Sequence, residues 1–219
     1  MLVLKGKKKF TQEYLNNLDQ KTAPIIKTCN TKPYTKITFK PDYKRLGLEN
    51  LSSDMIKLFI KRVYDISAVT AKNIKVKYNS EVIPIKTFQN YVDMYIGSKD
   101  ESKRVYEQTD DRWEYAVSIS PTEEFSQVSF VNGICTAKGG KHVEYIRDQI
   151  IRKLVKYIQQ KKKIEVKPNT IKEQLMLFLR CDIENPSFES QTKDYMSTPS
   201  SKFGSSCTVS DKFIDKVAK

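Results

Sequence analysis

VSFVNGICTAKGGKHVEYIRDQI, Val128 to Ile150, changes its period partway along. Up to Asn132 it belongs to a β-rich run that starts at Gln127. Beyond the Gly139-Gly140 break, apolar residues recur at helical spacing: Val143, Ile146, Ile150 and then Leu154, Tyr157 and Ile158. The spacing predicts a strand over Gln127 to Asn132 and a helix over His142 to about Gln160. At 1.5 Å per residue that helix is roughly 28 Å long, enough to cross a small sheet. Pro168 suits the first turn of a further short helix through Gln174. Leu175 to Ile183, LMLFLRCDI, is an almost unbroken apolar run, the pattern of a central strand buried on both faces.

Upstream, Tyr34 to Phe39, YTKITF, is β-branched and aromatic and stops at Lys40-Pro41-Asp42, which predicts a strand closed by a turn. Ser52 or Ser53 can cap a helix that carries Asp54 in its first turn and Met55, Ile56, Phe59, Ile60, Val63 and Tyr64 at helical spacing. Ile74 to Tyr78 and Glu81 to Ile85 alternate about Asn79-Ser80 and predict a hairpin, with Pro84 at an edge. Lys86 to Ile96 reads as a short amphipathic helix. The polar stretch after it, Gly97 to Lys103 and on towards Asp111, reads as a flexible domain boundary. A second strand-like run, Arg112 to Ser120, precedes the Pro121 turn, and the tail after Phe203 is Ser-rich and then weakly helical from Asp211 to Lys219.

With 39% hydrophobic and 11% aromatic residues over 219 positions, the chain can bury a real core. Its 39 Lys and Arg against 26 Asp and Glu leave a formal charge of +13, which favours a polyanionic partner, nucleic acid before membrane. Four dispersed cysteines with no C-x-x-C pair, and a single histidine, argue against a zinc site and for reduced thiols. Met1 to Phe10 lacks the long apolar stretch of a signal peptide, and no run approaches a membrane span. There is no G-x-x-x-x-G-K-[ST] loop and no G-x-G-x-x-G. A Ser, His and Asp set would need His142, which reads instead as a first-turn helix residue.

Two constellations carry chemistry. Between Ala137 and Lys163 stand nine basic residues against two acidic ones. They end in Lys161-Lys162-Lys163, read as a projecting loop whose ammonium groups can meet phosphates; the same lysines also suit a solvated helix C-terminus. The second is Ile183 to Lys193, IENPSFESQTK, where a strand hands over to a loop carrying Gln191, Thr192 and Lys193. Such a loop can hold an ammonium where a phosphate charge must be recognised, or be no more than a connection.

These segments, together with YTKITFKPD (Tyr34 to Asp42), MIKLFIKRVYDI (Met55 to Ile66), VSFVNGICTAKGGKHVEYIRDQI, IENPSFESQTKD (Ile183 to Asp194) and FGSSC (Phe203 to Cys207), resemble the ATPase module of eukaryotic-type DNA topoisomerase II almost end to end. The resemblance implies an α+β chain: a partial GHKL-type α/β sandwich over residues 1–108, a transducer domain with a left-handed βαβ crossover over 109–210, and the start of a linker helix over 211–219. It implies that Gln191, Thr192 and Lys193 meet ATP, with Lys193 the catalytic residue on the γ-phosphate. It also implies that Lys161, Lys162 and Lys163 touch double-stranded DNA, that the intact enzyme is a homodimer with no membrane role, and that it works in the nucleus, or in host cytoplasm if viral. The general-base Glu, the Asn that holds Mg2+, the phosphate lid and the DNA-cleaving Tyr are not found in the sequence. ATP and Mg2+ are therefore expected to be held mainly by the remainder of the topoisomerase, with no metal site here, and the chain alone is expected to be inactive. Two alternatives stand beside this: a non-catalytic DNA-binding relic, and a subunit of a split ATPase.

Overall fold

In the computed structural model, which describes residues 1–219, the first elements are the antiparallel strands β1 (Leu2–Lys5) and β2 (Lys8–Thr11). Gly6 and Lys7 join them, both with positive φ, as a two-residue turn matched to strand twist requires. A small ribbon of β3 (Tyr14–Leu15) and β4 (Gln20–Lys21) follows. Next come β5 (Ile25–Thr28), antiparallel to β2, and β6 (Thr35–Lys36), antiparallel to β1, giving a sheet of order β5-β2-β1-β6. The strand expected over Tyr34 to Phe39 is therefore paired only at Thr35 and Lys36. It is an edge with a neighbour on one side, and Ile37 and Phe39 beyond it stay more than 70% exposed.

These elements belong to the first of two compact units, Met1–Lys57; the second is Leu58–Lys219. Helix α1 (Ser53–Val69) straddles the division. Ser52 Oγ accepts from the Met55 amide, so the expected cap forms. The apolar stripe buries only in its later part: Val63 and Tyr64 pack partly buried on the sheet, whereas Met55, Ile56 and Phe59 are exposed.

In the second unit, Asn79 and Ser80, both with positive φ, turn the short hairpin β7 (Lys77–Tyr78) and β8 (Glu81–Val82). The pairing stops before Pro84, which has no amide hydrogen to extend it. Thr87 Oγ1 caps α2 (Phe88–Ile96) by accepting from the Asn90 amide. The main sheet is built from β9 (Arg104–Asp110), β10 (Trp113–Ile119), β11 (Ser126–Val131) and β12 (Ile134–Cys135). It is completed by a strand reached after the two-residue β13 (Gly139–Gly140), α3 (Lys141–Lys162) and α4 (Pro168–Glu173), namely β14 (Leu175–Cys181). The order is β12-β11-β14-β10-β9, so LMLFLRC is the middle strand. β11 runs parallel to β14 and α3 lies between them in sequence, a βαβ crossover; β10 is antiparallel to β14.

Strand alternation loads both faces of this sheet. Trp113, Tyr115, Val117, Leu175, Leu177 and Leu179 meet Val143, Ile146, Ile150 and Leu154 of α3, and Phe213 and Ile214 of α5 (Asp211–Val217). On the other face Ala116, Phe130, Met176 and Phe178 meet Ala68 of α1 and Phe88, Tyr91 and Val92 of α2. Each such aliphatic or aromatic side chain contributes roughly 1.5–3 kcal/mol of burial. A continuous apolar run is what a strand covered on both sides needs.

Strand β9 replaces part of the flexible boundary expected from Gly97 towards Asp111. RVYEQTD carries little apolar signal, and its pairing with β10 is reinforced by Tyr106 donating to Glu114 at 2.5 Å and Tyr115 donating to Glu107. The expected 108/109 division falls inside β9, whereas the compact units part between Lys57 and Leu58, because α2 packs on the same sheet as β10 and β14.

Candidate nucleotide-sensing loop and basic face

Phe188 and Met196 form an antiparallel bridge, and the backbone between them makes a tight loop around Gln191, Thr192 and Lys193. Ser190 Oγ and Thr192 Oγ1 are 2.7 Å apart, and Thr192 Oγ1 donates to Asp194 Oδ2 at 3.0 Å. The Lys193 amide donates to the Ser190 carbonyl at 3.1 Å, and Lys193 itself has φ 59°. That left-handed geometry is uncommon for a residue with a Cβ and costs energy that the neighbouring bonds offset. Gln191 and Thr192 are exposed, and the Lys193 ammonium lies 5.7 Å from the centroid of the Phe188 ring with no carboxylate paired to it. A cation resting on an aromatic face is held weakly enough to be surrendered to a phosphate. So the sequence-derived trio is brought together on one loop.

The loop is fastened to the start of α3. β15 (Tyr195–Met196) runs parallel to β13, and a Cβ on Gly140 would collide with the Met196 carbonyl and amide, so only glycine permits this approach. The Lys138 amide donates to the Asp194 carbonyl at 2.9 Å, and the Lys138 ammonium stands 3.5 Å from the Asp194 carboxylate. Tyr195 OH donates to Glu144 Oε1 at 3.0 Å, while Lys141 donates to Glu144 Oε2 at 2.8 Å. The Lys141 bond, with Tyr195 adding to it, holds the Glu144 carboxyl below the usual carboxylate range. Glu144 in turn pushes the Lys141 ammonium up, and burial, followed by Glu144, raises the Tyr195 phenol. These fastening residues were not legible as a set, since Glu144 and Tyr195 are separated by 51 positions.

His142 is a first-turn residue of α3, fully buried, its Nε2 3.1 Å from Thr136 Oγ1 and its Nδ1 without a partner. Desolvation pulls its pKa down to about 3, so it stays neutral and structural. No group of three or more His, Cys, Asp or Glu side chains is placed to hold a metal ion, and all four cysteines are free. No helix is long and apolar enough to cross a membrane.

The lysine run differs from its expected form. Lys161 and Lys162 lie inside the last turn of α3, and Lys163, with φ 59°, is the left-handed residue that ends it, so the three do not form a projecting loop. No helix breaker precedes Lys163, and lysines in a last turn meet the negative end of the helix dipole favourably. All three remain exposed and unpaired. Of the other basic residues between Ala137 and Lys163, Lys138 and Lys141 are paired as described. Lys153 donates to the Val209 carbonyl at 2.7 Å and to Asp211 at 2.6 Å, which pins α5 instead of facing a ligand.

A family model described as DNA gyrase B matches residues 87–219. DNA topoisomerase 2 of Arabidopsis thaliana is 41% identical over 220 residues, which is 97% of this chain and 15% of that protein. The crystal structure of the ATPase region of Saccharomyces cerevisiae topoisomerase II superposes with a TM-score of 0.90 at 37% identity, covering 99% of this chain and 56% of that one. The ATPase and transducer domains of DNA topoisomerase II from Balamuthia mandrillaris give 0.88 at 36%, covering 96% and 54%. The chain thus spans about one-seventh of the Arabidopsis relative and about half of each solved ATPase region. With both halves of its sheet architecture matched at this identity, the chain belongs to the DNA topoisomerase II family.

Proposed function

We propose that this chain is the part of an ATP-dependent type IIA DNA topoisomerase that senses the nucleotide γ-phosphate and meets DNA. Such an enzyme changes DNA topology by passing one duplex through a double-strand break, working as a homodimer. In this reading residues up to about 108 complete a GHKL-type ATPase domain and 109–210 are its transducer. The observation that carries it is Lys193: an ammonium with no carboxylate partner, on a loop whose backbone is pinned to Gly140 and the first turn of α3.

The chemistry follows from that placement. Lys193 and the neutral donor Gln191 can bind and orient a triphosphate terminus, and the ammonium stabilises charge that develops there. ATP, when bound, supplies the free energy; Mg2+ belongs with residues outside this chain. Loss of the γ-phosphate removes the differential contact at Lys193, and only such a difference can shift the position of the loop and of α3, to which it is fastened. Lys161, Lys162 and Lys163 stand at the opposite end of the same helix, about 30 Å away for 22 residues. DNA bound there and nucleotide at Lys193 would then bias one rigid element.

Replacing Lys193 by Ala in the complete enzyme should lower ATP turnover by about tenfold or more, as loss of a charge-assisted contact does, and leave DNA affinity nearly unchanged. Unchanged turnover would remove the assignment. The split-ATPase alternative differs in one respect, that a second chain would complete the nucleotide pocket. Nucleotide binding that appears only after a second chain is added would support it.

A further inference from the structure

A groove of about 610 Å3 runs beside α3 and α4, lined by Arg147, Asp148, Ile151, Arg152, Pro168, Asn169 and Lys172. Its polar rim is cationic, since two arginines and a lysine face one carboxylate. Both guanidinium groups are anchored through Nε alone. Arg147 Nε donates to Asp148 Oδ1 at 2.8 Å, and Arg152 Nε donates to the Asp148 carbonyl at 3.2 Å. The Arg147 guanidinium is further steadied 5.6 Å from the Phe125 ring. Their terminal nitrogens donate to no acceptor in the protein. Arg104 and Arg112 differ sharply, because they spend theirs on backbone carbonyls and on Asp93 or Glu184.

An arginine oriented through Nε, with its terminal pair free, is a planar two-pronged donor set in advance for a phosphate. Ile151, buried, lines the groove without competing for the anion. Arg152 and Lys156 are exposed one turn apart, and they lead along α3 to Lys161, Lys162 and Lys163. From Arg152 to Lys162 the helix advances about 15 Å. Over that length one strand of B-DNA presents about four phosphates.

We infer that the groove between α3 and α4 is a second phosphate-binding site for duplex DNA, continuous with the lysines at the end of α3, in which Arg147, Arg152 and Lys172 grip the backbone. This rests on the proposal that the lysine end meets DNA and adds to it a separate set of residues. The contacts read no bases, so the site sets register and affinity rather than sequence.

The 219-residue chain titrated with a labelled 30-base-pair duplex across a salt series tests it. R152Q/K172Q should lower affinity roughly tenfold per lost contact near 0.1 M salt and flatten the salt slope by about two. A charge-matched control, K99Q/K103Q, on the connection between α2 and β9, should bind as wild type, and circular dichroism should show both variants folded. If R152Q/K172Q binds like wild type while K161Q/K162Q/K163Q weakens, the groove is not a DNA site although the lysine end is. If wild type binds no duplex, both readings fall. If tripolyphosphate binds with dependence on Arg152 and Lys172 and duplex DNA does not, the duplex assignment is overturned in favour of a free polyphosphate.

Discussion

Tyr195 donates a hydrogen bond of 3.0 Å to Glu144, tying the loop that bears Lys193 to the first turn of the helix that ends in Lys161, Lys162 and Lys163. Two residues far apart in sequence thus set the geometry of a third. Tyr195→Phe or Glu144→Gln removes or weakens that tie without touching the core. Hydrogen exchange of the amides from Glu189 to Met196 should quicken, corresponding to about 0.5–1.5 kcal/mol of local stability, while the amides of β14 keep their protection. Equal exchange in variant and wild type would mean that β13 and β15 alone position the loop.

Gly140→Ala should be far more damaging. The new Cβ meets the Met196 backbone, which cannot swing aside as a side-chain tip can, and Gly140 has φ 144°. A cost of about 2–4 kcal/mol is expected, from overpacking and backbone strain together. Chemical denaturation of the variant checks it, with Gly6→Ala, where a Cβ has open space, separating the clash from positive φ alone.

His142 predicts an acid-sensitive fold. Its pKa is lowered by burial to about 3 from 6.5, so between those values the unfolded chain binds a proton that the folded chain does not. Its contribution is fully present above the unfolded value and is lost as pH falls through that window, at up to about 1.4 kcal/mol per pH unit. Denaturation midpoints at pH 7 and pH 5 should differ for wild type and differ less for His142→Asn; an equal difference would show that other groups dominate the acid response.

Asp65 joins α1 to α2. It is buried, with Lys61 donating to both carboxylate oxygens at 2.9 and 2.8 Å and Tyr91 donating at 2.6 Å. Asp65→Ala leaves the Tyr91 hydroxyl, itself 2.9 Å from Tyr95 OH, without its main acceptor. A loss of about 2–4 kcal/mol should appear in urea unfolding, with Tyr91→Phe costing about 1–2 kcal/mol.

Lys153 offers a contrast among the basic residues of α3. Because its ammonium is committed to Val209 and Asp211, Lys153→Gln should change duplex affinity by less than about twofold and leave the salt slope nearly as it was. The triple change at Lys161, Lys162 and Lys163 should flatten that slope by about three. A Lys153 effect as large as one of those lysines would show that it faces DNA after all.

The central strand and the long helix were readable because burial imposes a pattern on neighbouring positions: LMLFLRC is covered on two faces, and the α3 stripe on one. Ser52 and the Asn79-Ser80 turn were readable for a similar reason, since caps and tight turns are chemistry between residues two or three apart; the Thr87 cap of α2 emerged only in the structure. β9 escaped notice because RVYEQTD owes its strand to β10 and to the acceptors Glu107 and Glu114. The early part of the α1 stripe misled in the other direction, for a helical period announces an apolar face but not what covers it.

The residue order alone established the sheet's middle strand, a long helix ahead of it that is dense in positive charge, and a loop bearing Gln191, Thr192 and Lys193, while the crossover topology came from the family resemblance. Which charges are spent within the fold emerged only when the chain was assembled. Lys138, Lys141 and Lys153 are neutralised by Asp194, Glu144 and Asp211, whereas Lys161, Lys162 and Lys163 keep theirs. The reason is that an ion pair acts over a few ångströms of space, and two of those three partners lie more than 50 positions away along the chain, beyond the reach of any local pattern.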